Sequence, residues 1–412
     1  MRVLISAYAC NKGGDLSLHP GEDLVGWQIA TKVARNHEVW VLTEEYNKVK
    51  HDVVPPNMHI VYIRIPFLFE ILYKIDFLRR IYYYLWQIKA YFVGRKLDKK
   101  YNFDIVHHLT FGNDWMPSFV GAFLGKPFLW GPIGGGQKTP KPLKKEYTVI
   151  GNFKEFVRDF AQFIGRHFLI SRRLTAKRAK KILVCNEETK RCFPQELQCK
   201  IDYFPVNGLS EEEFQLLSQN NKGEGEPFRI LTAGRLHRYK AFGLVIKSFA
   251  RFKERVGEVP CELVIVGDGE EKKNLTDLAK KLGVEDNVKF LGWLSRERLL
   301  EEYTKGDVFV YLSLREGGGA VVVEAMGAGI PVVTLKIGGP GLHVRPDCGF
   351  LVEPDEPHAV VEKTAEILEH LYRDGNLRAS LGQKARERVK ECYLWEKLAN
   401  RIEGYYREIL AK

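Results

Sequence analysis

Two glutamates, Glu316 and Glu324, stand with seven residues between them in the stretch LREGGGAVVVEAMGAGIPVV. Gly317, Gly318 and Gly319 follow the first acid, and three valines precede the second. A carboxylate is an acceptor for hydroxyl groups. Glycines beside it leave backbone N–H groups with no side chain in the way. The stretch lies between two apolar runs, DVFVYLSL and PVVTL, so it reads as strand, loop, helix, strand. Glu316 then sits in the loop at the carboxyl end of a strand. Gly317 to Gly319 and Ala320 open the helix with unpaired amides, an anion or hydroxyl site. Glu324 falls about one and a half turns in, at ~1.5 Å per residue. Val321, Val322 and Val323 are indifferent helix formers, so burial must hold this helix. In arbitrary surroundings such a pair is two solvated acids; the strand, glycine and helix context favours a site.

Four further stretches could carry chemistry. In FRILTAG a strand ends at Ala233, followed by Gly234 and Arg235 and then Lys240 at a helix start. A forked guanidinium and a mobile ammonium five residues apart can clamp a diphosphate. The first strand leads into a loop with Gly13, Gly14 and Gly21, able to approach phosphate closely. It is not G-x-G-x-x-G, which disfavours a dinucleotide site. His107 and His108 close the strand DIVHHLT, where neighbours point to opposite faces, so at most one faces a site squarely. PFLWGPIGGGQK again places bare backbone after a strand. There is no D-x-D and no cluster with metal-ligand spacing, so no metal is expected.

Short apolar strands alternate with helical patterns throughout the 412 residues. RVLISAY, HEVWVLT, HIVYIRI, DIVHHLT, PFLWG and KILVCN form one series; FRILTAG, ELVIVG, VKFLG, DVFVYLS, PVVTL and GFLV form another. The pattern predicts α/β architecture: two Rossmann-like doubly wound domains facing a central cleft, with ligands at the carboxyl ends of the strands. FPVNGLSEEEF supplies turn formers between the series. The boundary is therefore placed at residues 205/206, giving domains 1–205 and 206–387, with a terminal helix over about 388–412 returning to the first.

Charge is uneven. Residues 1–205 carry 32 Lys and Arg against 19 Asp and Glu, and the remainder 31 against 33. The excess positive charge is in the first half, which points to an anionic partner there. Residues 65–101 hold eight basic against three acidic residues among many aromatics, and 126–181 hold 14 against three. Such helices suit an anionic bilayer surface, or a solvated basic face over a core. No nucleic-acid module is evident. No uncharged apolar run approaches the ~18 residues of a membrane span, and MRVLISAYAC reads as a buried first strand rather than a signal peptide. Seven cysteines without a C-x-x-C pair suggest free thiols in a reducing cytosol.

The order of the motifs is more specific than any one of them. GRL…K, then VIVGDGE, VKFLGWL, the E-x7-E, GIPVV and GGP, resembles the carboxyl-terminal half of GT-B glycosyltransferases, the retaining family 4 or group 1 class. The likeness is strongest over residues 228–353. It implies a UDP- or GDP-linked sugar as donor and no cofactor. It implies that Arg235 and Lys240 hold the donor diphosphate, that Glu324 takes the ribose hydroxyls, and that Glu316, beside the amides of Gly317 to Ala320, takes the sugar. Gly292 and Trp293 would meet the base, with Gly234 beside the phosphates. Gly13 or Gly14 would approach the phosphate, and His107 or His108 would lie near the sugar. Many relatives have an aromatic residue where Gly318 stands, an acid soon after the GG of GGPGLHV, and the strand histidine where this chain has Leu109. The implied acceptor is a glycan or a lipid-linked molecule of cell-surface polysaccharide, lipopolysaccharide or glycolipid synthesis. A cytoplasmic enzyme, peripheral on the inner face of the membrane, would fit. A GT-B epimerase or phosphorylase, or a non-catalytic glycan- or membrane-binding protein on the same fold, is the alternative.

Overall fold

The computed structural model describes residues 1–12, 20–48, 54–66, 79–147, 149–219, 223 and 225–411. The chain forms two compact units. The first comprises residues 1–136, 157–206 and 395–412; the second comprises 137–156 and 207–394.

The first unit holds a seven-stranded parallel sheet in the order β3-β2-β1-β4-β5-β6-β7. Its strands are β1 (Arg2–Ala7), β2 (Glu38–Glu44), β3 (Met58–Ile63), β4 (Ile105–Thr110), β5 (Phe128–Ile133), β6 (Lys181–Val184) and β7 (Ile201–Tyr203). β4 and β5 are buried along their whole length. That is why they read as apolar runs without alternation: both faces of the sheet are covered. β7 is an addition to the six strands expected. It is three residues long and pairs Ile201 with Ile182 at the sheet edge, too short to leave a periodic signal. Part of the basic, aromatic stretch 65–101 lies outside the described residues, which resume at the helix Arg79–Tyr101.

The second unit holds a six-stranded parallel sheet in the order β10-β9-β8-β11-β12-β13. Its strands are β8 (Phe228–Ala233), β9 (Cys261–Val266), β10 (Val288–Gly292), β11 (Val308–Tyr311), β12 (Val332–Leu335) and β13 (Gly349–Val352). The strand order reverses beside β8, between β9 on one side and β11 on the other. Parallel strands emerge on the same edge, so the loops after β8, β10 and β11 share one side of this sheet. Residues 137–156, ahead of the 205/206 boundary, belong to this unit: Leu143 joins its core with Phe228 and Leu244, and Lys145 pairs with Glu356 at 2.8 Å.

The helix expected over about 388–412 is two helices, Gly375–Cys392 and Trp395–Leu410. The break falls where Leu394 leaves the helical path to pair with Leu209 as an isolated bridge. Trp395, Leu398, Ile402 and Tyr406 of the last helix join Val3, Ile5 and Val39 in the core of the first unit.

Candidate functional site

The loop after β11 is where the charged groups of the second unit converge. Tyr311 ends the strand, and its hydroxyl lies 2.5 Å from a carboxylate oxygen of Glu316. The ammonium of Lys240 pairs with that same oxygen and lies 2.6 Å from the Tyr311 hydroxyl. Lys240 comes from the turn after β8, so two neighbouring strands supply the three groups. Burial alone would raise the Glu316 carboxyl; Lys240, the Tyr311 hydroxyl and the Gly319 amide together hold it below the ordinary carboxylate range. Burial pushes the Tyr311 phenol well up, and the facing carboxylate adds to it. The cluster is a neutral–anionic–cationic triad with its charges matched.

The glycines earn their place through backbone geometry. Gly319 caps the helix Ala320–Gly327 in the left-handed region at φ 76°. A Cβ there would stand 2.7 Å from Cγ of Pro340. The amides at this helix start are not all bare, as the sequence suggested: Gly319 donates its N–H to the Glu316 carboxylate. His343 fixes the same loop from below. Its Nε2 lies 2.6 Å from the Gly318 carbonyl oxygen and its Nδ1 lies 3.1 Å from the Tyr393 hydroxyl. The carbonyl can only accept, so Nε2 carries the proton. Burial pulls this imidazole down to about 4, which keeps it neutral.

Glu324 is 5% exposed, no surface acid. Val322, Val323, Ala325 and Met326 around it are buried, which supplies the stabilisation their helix propensity does not. Its two carboxylate oxygens receive Arg296 at 2.6 Å and the Tyr303 hydroxyl at 2.9 Å. Arg296 also reaches Glu213 at 2.8 Å. Burial opposes the Arg296 charge, but Glu324 and Glu213 outweigh it and raise the guanidinium further. A carboxylate has about four acceptor positions, so Glu324 retains capacity for more donors.

Other expected positions fall on the same strand edge. Arg235 is exposed directly after Gly234 at the end of β8. Trp293 is 70% exposed after Gly292, which closes β10 at φ 71°. Gly13 and Gly14 lie outside the described residues. His107 and His108 are interior residues of the first unit. His107 lies 2.7 Å from the Tyr406 hydroxyl and 2.6 Å from the Gly131 carbonyl oxygen. His108 faces the Tyr83 hydroxyl at 3.3 Å. Both are essentially fully buried, and burial pulls them to about 4 and about 3. Within the first unit, both ring nitrogens of His107 are thus engaged, whereas His108 places Nε2 at Tyr83 and its Nδ1 has no hydrogen-bond partner among the described residues.

Sequence reasoning missed Tyr311, Tyr303, Arg296 and His343. The first two sit in plain apolar or helical runs with no spacing signal; Arg296 is one of many arginines. Among the described residues, no group of three or more His, Cys, Asp or Glu is placed to hold a metal ion.

Residues 214–388 match the family of glycosyl transferases group 1. Among curated proteins, the chain is 33% identical over 167 residues to N-acetyl-alpha-D-glucosaminyl L-malate synthase of Bacillus anthracis, covering 40% of this chain and 42% of that protein. It is 26% identical over 401 residues to an uncharacterized glycosyltransferase of Methanocaldococcus jannaschii, covering 92% of each. Among solved structures, HepE of Anabaena in complex with UDP superposes with a TM-score of 0.61 at 16% identity, over 99% of this chain and all of that one. Two Rossmann-like units with parallel sheets in one chain are the architecture of the GT-B class. Residues 214–388, the stretch that matches the group 1 glycosyl transferases, carry the Glu316 and Glu324 clusters. The chain spans about two-fifths of the Bacillus anthracis protein's length and nearly all of the Methanocaldococcus jannaschii one.

Proposed function

We propose that the chain is a retaining, metal-independent glycosyltransferase. It takes a sugar from a UDP- or GDP-linked donor and passes it to a glycan or lipid-linked acceptor of cell-surface polysaccharide, lipopolysaccharide or glycolipid synthesis. The observation that carries this reading is the Lys240–Glu316–Tyr311 cluster at the carboxyl edge of β8 and β11, within the stretch that matches the transferase family. Superposition on a protein that binds UDP supports a nucleotide donor.

In this reading the donor diphosphate draws Lys240 away from Glu316, and Arg235 adds a second cation. Both stabilise the charge that grows on the diphosphate as the glycosidic bond breaks, together with amides at the start of the helix Ala320–Gly327. Glu316, freed of Lys240, accepts sugar hydroxyls, and Glu324 accepts ribose hydroxyls. Trp293 offers an aromatic face for the base. The leaving phosphate serves as base on the face it vacates, since neither His107 nor His108 reaches solvent. No helix among the described residues is long and apolar enough to cross a membrane. Phe160, Phe163, Phe168 and Ile170 nonetheless stand exposed beside the basic residues of 126–181. That combination supports peripheral docking on an anionic bilayer at its cytoplasmic face.

The test is a panel of nucleotide sugars, read for binding and slow hydrolysis. Turnover with at least one donor, lost in Glu316→Gln and Lys240→Ala, is expected. A protein that binds none of them has another function.

A further inference from the structure

The first unit has a concave feature that the donor reading does not use. A cavity of about 820 Å³ is lined by five cations, Arg166, Arg172, Arg173, Lys177 and Arg191, against one carboxylate, Glu196. Phe193 and Leu197 add apolar wall. Two of the cations are committed elsewhere: Arg166 to Asp114 and the Gly135 carbonyl, and Arg191 to Glu187.

The other three are not matched. Arg172 is 5% exposed, yet its guanidinium donates to two backbone carbonyls, Asp114 at 2.6 Å and Cys192 at 3.2 Å. It lies over the Phe193 ring at 4.8 Å and forms no ion pair among the described residues. Arg173 donates to the His167 carbonyl at 2.6 Å, and neither it nor Lys177 has an ion-pair partner among the described residues. Burial lowers the Arg172 guanidinium, and Asp114 restores only part of that. A buried cation satisfied by carbonyls alone keeps an uncompensated charge, which an anion would neutralise.

The geometry sets the kind of anion. Arg173 and Lys177 lie on one face of the helix Ile170–Arg178, at i and i+4, with Ile170 one turn before. Two mobile or exposed donors flanking a fixed guanidinium suit a tetrahedral, multiply charged group better than a single carboxylate. Ile170 is 72% exposed at the end of that same face, so the cations have an apolar lip.

We propose that this cavity is a phosphate- or diphosphate-binding site, held by Arg172, Arg173 and Lys177. The group it takes is borne by a membrane lipid or by a soluble phosphate compound. The site stands apart from the transferase reading, which the nucleotide-sugar panel tests on residues of the other unit.

The experiment uses the full chain, its Arg173→Gln/Lys177→Gln variant, and Arg172→Lys. Inorganic pyrophosphate is titrated by calorimetry. Vesicles of phosphatidylcholine alone, or with phosphatidylserine or phosphatidic acid, are read by co-sedimentation. Thermal melting and the UDP response report that each variant is folded. The parent chain is expected to bind pyrophosphate or phosphatidic acid vesicles, and the double variant to bind at least about tenfold more weakly, from the loss of two cations. Arg172→Lys keeps the charge but not the fork, and is expected to weaken binding as well. Loss for pyrophosphate identifies a soluble source; loss for phosphatidic acid vesicles alone identifies a lipid headgroup. Binding that is absent, or equal in parent and double variant, overturns the proposal. So does equal binding to phosphatidylserine and phosphatidic acid vesicles with no binding of pyrophosphate, which would be surface electrostatics without a site.

Discussion

The carboxyl edge of the second sheet and the equivalent strand ends of the first handle their titratable groups in opposite ways. After β11, Glu316, Lys240 and Tyr311 form a charged cluster held at partial exposure by a glycine loop. At the end of β4, His107 and His108 are sealed in the core, neutral, and bonded to Tyr406, Gly131 and Tyr83. The same kind of signal, a polar residue at a strand end, thus leads to a charged cluster in one unit and to buried histidines in the other. What separates them is the next few residues. Glycines let the chain turn back on the carboxylate after β11, whereas in the first unit the returning helix Trp395–Leu410 covers the histidine with Tyr406.

The sharpest way to break this contrast is to remove charge from the cluster. Glu316→Gln or Lys240→Ala is expected to cut donor turnover about 100-fold or more, measured as nucleotide-sugar hydrolysis, because preorganised charges at the reacting sugar and at its leaving group are worth that much. The opposite is expected at His107. His107→Gln should leave hydrolysis within about twofold while costing about 1–3 kcal/mol of stability in denaturant unfolding, from the lost bonds to Tyr406 and Gly131. A large loss of turnover at constant stability would return this histidine to the site.

Acid should separate the regions again. His107, His108 and His343 have folded pKa values pulled to about 4, about 3 and about 4 by burial. Unfolding restores ordinary histidines near ~6.5, so the unfolded chain takes up protons first. Their stabilisation is complete above that value and is lost as pH falls from it towards the folded values. The slope is about 1.4 kcal/mol per pH unit for each histidine. His107→Gln should make the measured stability slope between pH 6 and 5 shallower by about that amount. Glu316 acts lower: its depressed carboxyl contributes above the ordinary glutamate value and loses that contribution below it.

Glu324→Ala should cost about 1–3 kcal/mol in unfolding, since it leaves the buried Tyr303 hydroxyl without its acceptor and Arg296 with Glu213 alone. The smallest effect is expected at Trp293→Ala. The ring is exposed, so stability should move by less than about 0.5 kcal/mol, and nucleotide affinity should fall several-fold.

Much of the second unit was legible in the sequence, because its strands and its acid-bearing loop follow from local order. Gly319 must turn in the left-handed region, and Glu316 and Glu324 must stand a fixed distance apart on either side of a helix start. Strand runs such as DVFVYLS and PVVTL are long enough to show themselves. The partners that tune these acids were hidden, since Tyr311, Tyr303, Arg296 and His343 meet them only through tertiary packing. The fate of the paired histidines was hidden for the same reason: Tyr406 lies 299 positions away in the chain. β7 was lost to its brevity, and the break at Tyr393–Leu394 to a pairing with Leu209 that no local pattern encodes.

The central claim is that the edge of the second sheet holds a nucleotide diphosphate through Lys240 and Arg235, with Glu316 released to the sugar. Thermal melting with saturating UDP, and separately with GDP, tests it most directly, because a ligand of the folded state raises the midpoint in proportion to its affinity. The parent chain should be stabilised by one of the two nucleotides, and Lys240→Ala should lose that shift while still melting cooperatively. No shift with either nucleotide, or an equal shift in Lys240→Ala, would contradict the account.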